Sequence, residues 1–219
     1  MKTWTSAIIL ALTLLWMNTL SFPQRVSALD GKQALQRLLA GNQRYVAKKA
    51  LHPNQTAERR AEIAKSQHPF AIVLGCSDSR VPPELIFDQG LGDLFVIRVA
   101  GNIVDNTVLG SIEYAVEHLH TPLVVVLGHK KCGAVSAAVV GGHAPGHINS
   151  LVEAIMPAVE RARNRAGDLV ENTVRINVDM AVGQLKSSEP ILAQLSREGK
   201  LMIIGSRYDL DTGAVEIIQ

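Results

Sequence analysis

Cys76, Asp78 and Arg80 stand at two-residue intervals in VLGCSDSR (73–80), at the point where an apolar run stops. A second apolar run in LVVVLGHKKCGAV (123–135) ends on His129, and Cys132 follows it. These are the only two cysteines in the chain. Two thiolates and an imidazole form a soft donor set. Three such ligands leave one corner of a tetrahedron open, which is how a catalytic zinc site is built. The spacing of His129 and Cys132 lets both side chains turn toward one ion as the chain enters a helix. Two other readings of the cysteines stand beside this one. They could pair in a disulfide, which an oxidising compartment permits, or be ordinary buried thiols. A disulfide leaves His129, Asp78 and Arg80 without a role. Asp78 and Arg80 read either as a structural ion pair or as a pair serving the metal.

The elements that must position these residues alternate along the chain. FAIVLG (70–75), LFVIRVAG (94–101), LVVVLG (123–128) and LMIIGSRYDL (201–210) are short and β-branched, and are predicted strands. DGKQALQRLLAGNQRYVAKK (30–49), NQTAERRAEIAKSQ (54–67) and TVLGSIEYAVEHLH (107–120) carry helical patterns, with Asn54 as the cap of the second. The stretch 148–197 is predicted to hold several further helices. Strands that are apolar on both faces and separated by helices give an α/β fold, a mostly parallel central sheet flanked by helices. Ligands gather at the carboxyl ends of such strands. Adjacent strands therefore bring Cys76 and His129 to one edge.

The N-terminus bounds where this chemistry takes place. Lys2, the apolar AIILALTLLWMNTL (7–20) and FPQRVSA (22–28) follow the order of a secretory signal. The apolar run is short for crossing a bilayer, although an uncleaved anchor is the competing reading. The expected organisation is a signal peptide over 1–28 and one catalytic domain over 29–219, exported to a periplasm. Cleavage removes Lys2, Arg25 and both tryptophans, Trp4 and Trp16, and leaves basic and acidic residues equal in number. That balance excludes an electrostatic case for nucleic acid and gives no reason for membrane association after cleavage. N-terminal sequencing of the native protein should start near Leu29; a chain still starting at Met1 would contradict export. His143 and His147, in GGHAPGH (141–147), read as part of a solvated turn.

CSDSRVPPELIFDQGLGDLFVIRVAGN (76–102) and GHKKCG (128–133) resemble the two zinc motifs of the β-class carbonic anhydrases. LAGNQRYV (39–46) and GSIEYAVEHL (110–119) are similar to that family's flanking segments, so the resemblance spans nearly all of 30–219. It implies Zn2+ on Cys76, His129 and Cys132, with Asp78 and Arg80 as the catalytic pair beside it. It also implies substrate contacts from Gln67, Phe95, Tyr114 and the backbone N–H of Gly133. By their local sequence alone, Phe95 and Tyr114 read as core and Gln67 as surface. The implied partners are carbon dioxide and bicarbonate, and the implied assembly is a homodimer or dimer-based oligomer.

The implied reaction is hydration of carbon dioxide by zinc-bound hydroxide. Two thiolates make bound water less acidic than imidazoles would, so orienting the nucleophile matters. Asp78 can accept the hydroxide's hydrogen bond while a bidentate Arg80 keeps the carboxylate off the metal. Family members in which the aspartate closes onto the metal characteristically carry a regulatory tryptophan. The mature chain has none, which implies an open resting site. The alternatives are a hydrolase of carbonyl sulfide or carbon disulfide on the same scaffold, and a non-catalytic zinc- or bicarbonate-binding protein. Zinc storage needs neither Asp78 nor Arg80, which argues against the last.

Overall fold

The computed structural model describes residues 29–218; the expected signal peptide lies outside them. Four strands run parallel at the centre: β1 Ala71–Gly75, β2 Leu94–Arg98, β3 Leu123–His129 and β4 Met202–Tyr208. A fifth, β5 Val215–Ile217, pairs antiparallel to β4, and the sheet order is β2-β1-β3-β4-β5. The order makes β1 and β3 neighbours, with Gly75 opposite Leu127, so the residues that follow emerge at one sheet edge.

Alternation along the strands builds two cores. Ile72, Leu74, Val124, Val126 and Ile203 face one side; Ala71, Val73, Leu123, Val125 and Ile204 face the other, all buried. The first side is covered by α4 Asn106–Leu119 and α7 Leu169–Lys186. The second is covered by α1 Gly31–Val46 and α3 Pro83–Ile86. Dispersed apolar strands covered on both faces are what a parallel sheet requires. α5 Gly133–Val140 and α6 Ile148–Ala162 join a smaller cluster that includes both cysteines. α2 Ala57–Ile63 and α8 Leu192–Arg197 complete the helices of the described residues. None of the helices is long and apolar enough to cross a membrane.

Helix starts follow side-chain chemistry. Asp30 and Gln33 form a reciprocal capping box on α1, and Asp105 and Asp168 cap α4 and α7. The expected Asn54 cap is corrected. Asn54 has φ +56° and donates its amide to both oxygens of Asp93, at 3.0 and 2.9 Å, so Thr56 caps α2 in its place. The expected strand over 94–101 also stops early, at Arg98. The chain then makes a 3₁₀ turn, Ala100–Asn102, in which Gly101 adopts φ +74°. That conformation strongly favours glycine.

α1 lies very close to the end of α3. A Cβ added at Gly41 would stand 1.8 Å from the Phe87 carbonyl oxygen, so alanine there must push the helix away. Overpacking of this kind typically costs about 1–3 kcal/mol. Gly41→Ala should therefore lower the melting temperature by roughly 2–12 °C. An unchanged melting curve would show that α1 is not seated this closely.

Candidate metal centre

Cys76 follows β1, His129 ends β3, and Cys132 occupies the position before α5. Their ligand atoms lie within 4.8 Å of one another, and all three residues are buried. The two sulfurs are 3.9 Å apart and unbonded, with both cysteines free. A tetrahedral metal with bonds of about 2.3 Å to sulfur needs a sulfur–sulfur edge of about 3.8 Å. The disulfide reading therefore gives way to separate thiols.

His129 makes the case for a cation. Its Nδ1 lies 2.9 Å from the Lys130 carbonyl oxygen. A carbonyl only accepts, so Nδ1 carries the hydrogen and Nε2 presents its lone pair. That Nε2 is buried and has no hydrogen-bond partner. A buried acceptor without a donor is costly, and an ion between Nε2 and the two sulfurs satisfies it. The sulfurs are already prepared for one. The hydrogen bond shared with Cys132, despite burial, holds the Cys76 pKa down to about 4, with His129 and the N–H of Gly101 adding to the effect. Cys132 is pushed up, first by that same shared hydrogen bond and then by burial. A divalent cation binds cysteines as thiolates and displaces their protons.

Asp78 hangs beside this donor set. Its Oδ2 is 3.9 Å from His129 Nε2. Arg80 grips it in a fork, Nε to Oδ1 at 2.9 Å and Nη2 to Oδ2 at 2.7 Å, and the Arg80 backbone N–H also donates to Oδ1 at 2.9 Å. The Arg80 guanidinium holds the Asp78 carboxyl well below the usual carboxylate range. Asp78 is therefore an acceptor at any pH where the protein works. Arg80 Nη2 reaches on to the Lys131 carbonyl oxygen at 3.3 Å, which ties the first motif to the second.

Two site residues had not been singled out from sequence. Arg98 donates from Nε to the Cys76 carbonyl oxygen at 2.9 Å and from Nη2 to the Asp78 carbonyl oxygen at 2.5 Å, fixing the backbone that carries ligand and carboxylate. Gly101 donates its N–H to Cys76 Sγ at 3.3 Å. The available signal was an arginine closing an apolar strand, followed by a glycine in VIRVAG.

The remaining expected residues divide. Gly133 opens α5 beside Cys132 and is exposed, with open space where a Cβ would stand. As the first residue of the helix it has no intrahelical acceptor for its N–H. Gln67, Phe95 and Tyr114 do not join the cysteines within this chain. Gln67 is exposed and precedes β1, at the opposite end of the strand from Cys76. Phe95 pairs in register with Ile72, four residues before Cys76, a separation of about 13 Å along a strand. Phe95 and Tyr114 meet each other, with ring centroids 6.4 Å apart, and Tyr114 is 48 % exposed.

Comparison with known proteins follows the same geometry. The family model described as carbonic anhydrase matches residues 71–215. A carbonic anhydrase of Mycolicibacterium smegmatis is 45% identical over 84% of this chain and 91% of its own length. Carbonic anhydrase 2 of Mycobacterium tuberculosis is 44% identical over 82% of this chain and 89% of its own. Among solved structures, a tetrameric β-carbonic anhydrase from Sordaria macrospora superimposes with a TM-score of 0.69 at 26% identity, covering 84% of this chain and 96% of that one. The Coccomyxa β-carbonic anhydrase in complex with acetazolamide gives 0.67 at 28% identity, over 84% and 86%.

Proposed function

The chain belongs to the β-class carbonic anhydrases, and from that premise we propose that Cys76, His129 and Cys132 hold a zinc ion, with Asp78 and Arg80 as the catalytic pair. The enzyme's reaction is the reversible hydration of carbon dioxide to bicarbonate and a proton. The single observation that carries the site is the buried, unpartnered Nε2 of His129 facing two free thiols. When bound, the zinc supplies a Lewis acid that lowers the pKa of a water.

The chain's own residues do the rest. Asp78, an ionised acceptor with its direction fixed by Arg80, takes the hydrogen bond of the attacking water and aims its lone pair at carbon. Hydration forms one carbon–oxygen bond, opens one carbon–oxygen π bond and releases one proton to solvent. The growing charge falls on a substrate oxygen, toward which the unpaired N–H of Gly133 can donate. Gln67 and Phe95 lie toward the far end of the sheet from the cysteines, and Tyr114, on α4, packs beside Phe95, so none is placed to serve its own chain's centre. In a homodimer a second copy supplies them, and the half-exposed Tyr114 with Phe95 forms the apolar wall for an uncharged substrate. Carbonyl sulfide or carbon disulfide would fit similar chemistry, but the relatives named above are carbonic anhydrases, which favours carbon dioxide.

A stopped-flow assay of carbon dioxide hydration on the zinc-loaded chain tests this reading, with sedimentation in the same buffer. Proton release far above the uncatalysed rate, from a particle of at least two chains, is the expected result. Background rates from fully loaded protein would sink the activity, and an active monomer would sink the shared site.

A further inference from the structure

The Cys76 sulfur is addressed by a donor that lies outside both cysteine motifs, the N–H of Gly101 at 3.3 Å. Gly101 holds φ +74°, and a Cβ there would meet Ile155 Cδ1 at 2.7 Å, so this residue has no side chain with which to fix its own orientation. Asn177 fixes it from across the fold. Its Nδ2 donates to the Gly101 carbonyl oxygen at 2.8 Å, over a sequence separation of 76 residues.

Asn177 sits in the interior of α7 and is 7% exposed, between the buried apolar Ile176 and Val178. Asparagine is a poor choice for a helix interior, and burying its amide is unfavourable unless it is hydrogen-bonded. Helix formation therefore gives no reason for an amide at this position, whereas the Gly101 carbonyl does. The Asn102 N–H, on the same peptide as the Gly101 carbonyl, donates to the Val99 carbonyl oxygen at 2.9 Å, and the Val99 N–H donates to that of Gly75 at 3.1 Å. Asn177 and the Val99 carbonyl thus pin the Gly101–Asn102 peptide at both of its polar ends, and this peptide meets the one carrying the Gly101 N–H at the Gly101 Cα.

Resting on the zinc reading, we infer that Asn177 is a positioning residue for the metal centre, holding Gly101 so that its N–H stays aimed at Cys76 Sγ. An N–H aimed at a thiolate draws electron density from the sulfur, and contacts behind the ligands commonly change metal affinity by about 10–100-fold. In a site with two thiolates this draw keeps the metal a stronger Lewis acid. The contact holds the peptide that follows Gly101, and through the Gly101 Cα it limits rotation of the preceding peptide, whose N–H faces Cys76.

The test uses cobalt(II) in place of zinc, because the thiolate-to-cobalt charge-transfer band reports the electron density on sulfur. Asn177→Leu and Asn177→Ala should bind one cobalt per chain with the band at longer wavelength than wild type. Their zinc forms should lose metal to a chelator about tenfold faster, because a sulfur without its N–H donor is more readily protonated and released. Thr173→Val is the control. Thr173 is also buried on α7 and donates to the Leu169 carbonyl oxygen, away from Gly101. It should leave the band in place. A band unmoved in both Asn177 variants, or moved equally in Thr173→Val, overturns the inference and leaves the zinc assignment standing. A wild-type protein that takes up no cobalt at all overturns the zinc assignment and the inference with it.

Discussion

Replacing Cys132 with serine should empty the metal site, taking zinc from one per chain to almost none and carbon dioxide hydration down by more than 100-fold. Changes behind the ligands already cost about 10–100-fold, and a lost ligand exceeds that. Serine keeps the size and the position before α5, but its hydroxyl does not ionise near neutrality. The second thiolate that a soft cation would take is then gone. The fold should survive, because Cys132 is one small member of a cluster that also holds Val135, Val152, Ile155 and Val159. Metal analysis and far-UV circular dichroism on the same sample check both halves. Full zinc occupancy in Cys132→Ser would remove the ligand assignment.

Arg80→Ala has the second-largest expected effect, and it separates metal binding from turnover. Arg80 touches no ligand atom, so zinc should remain at one per chain. Asp78 loses both arms of its fork, at 2.9 and 2.7 Å, and lies 3.9 Å from His129 Nε2. The backbone N–H of residue 80 would still reach Oδ1, but with both side-chain arms gone Oδ2 is free to turn toward the cation and take the position that water should fill. Loss of an oriented catalytic contact of this kind costs on the order of 10²–10³ in turnover. Arg80→Lys should recover little, since an ammonium keeps the charge but lacks the planar fork. Undiminished turnover in Arg80→Ala would show that the fork does not hold the site open.

Much of this arrangement was legible in the sequence because it is local. The apolar runs before Cys76 and His129 are strands for the ordinary reason, dense β-branched residues, and a parallel sheet brings their ends together. Asp78 and Arg80 are two residues apart, so their pairing follows from spacing. What escaped depends on tertiary distance or on backbone conformation. β5 is three residues long and gains its place from pairing with β4. Asn54 reads as a cap until Asp93, far along the chain, claims its amide. Gly101 and Asn177 meet through a single backbone carbonyl, which leaves no pattern in composition or periodicity. Gln67, Phe95 and Tyr114 entered only through family resemblance, and no reading of one chain's elements would have placed them with the cysteines.

The central claim is an open zinc site in which the carboxylate is held by arginine and not by the metal. It is tested most directly by a crystal structure of the zinc-loaded protein at pH 8, with anomalous data collected at the zinc edge. The account predicts one anomalous peak per chain, bonded to Cys76 Sγ, His129 Nε2, Cys132 Sγ and a water, with Asp78 still forked to Arg80. Asp78 on the zinc, or a metal seated away from these three side chains, would contradict it.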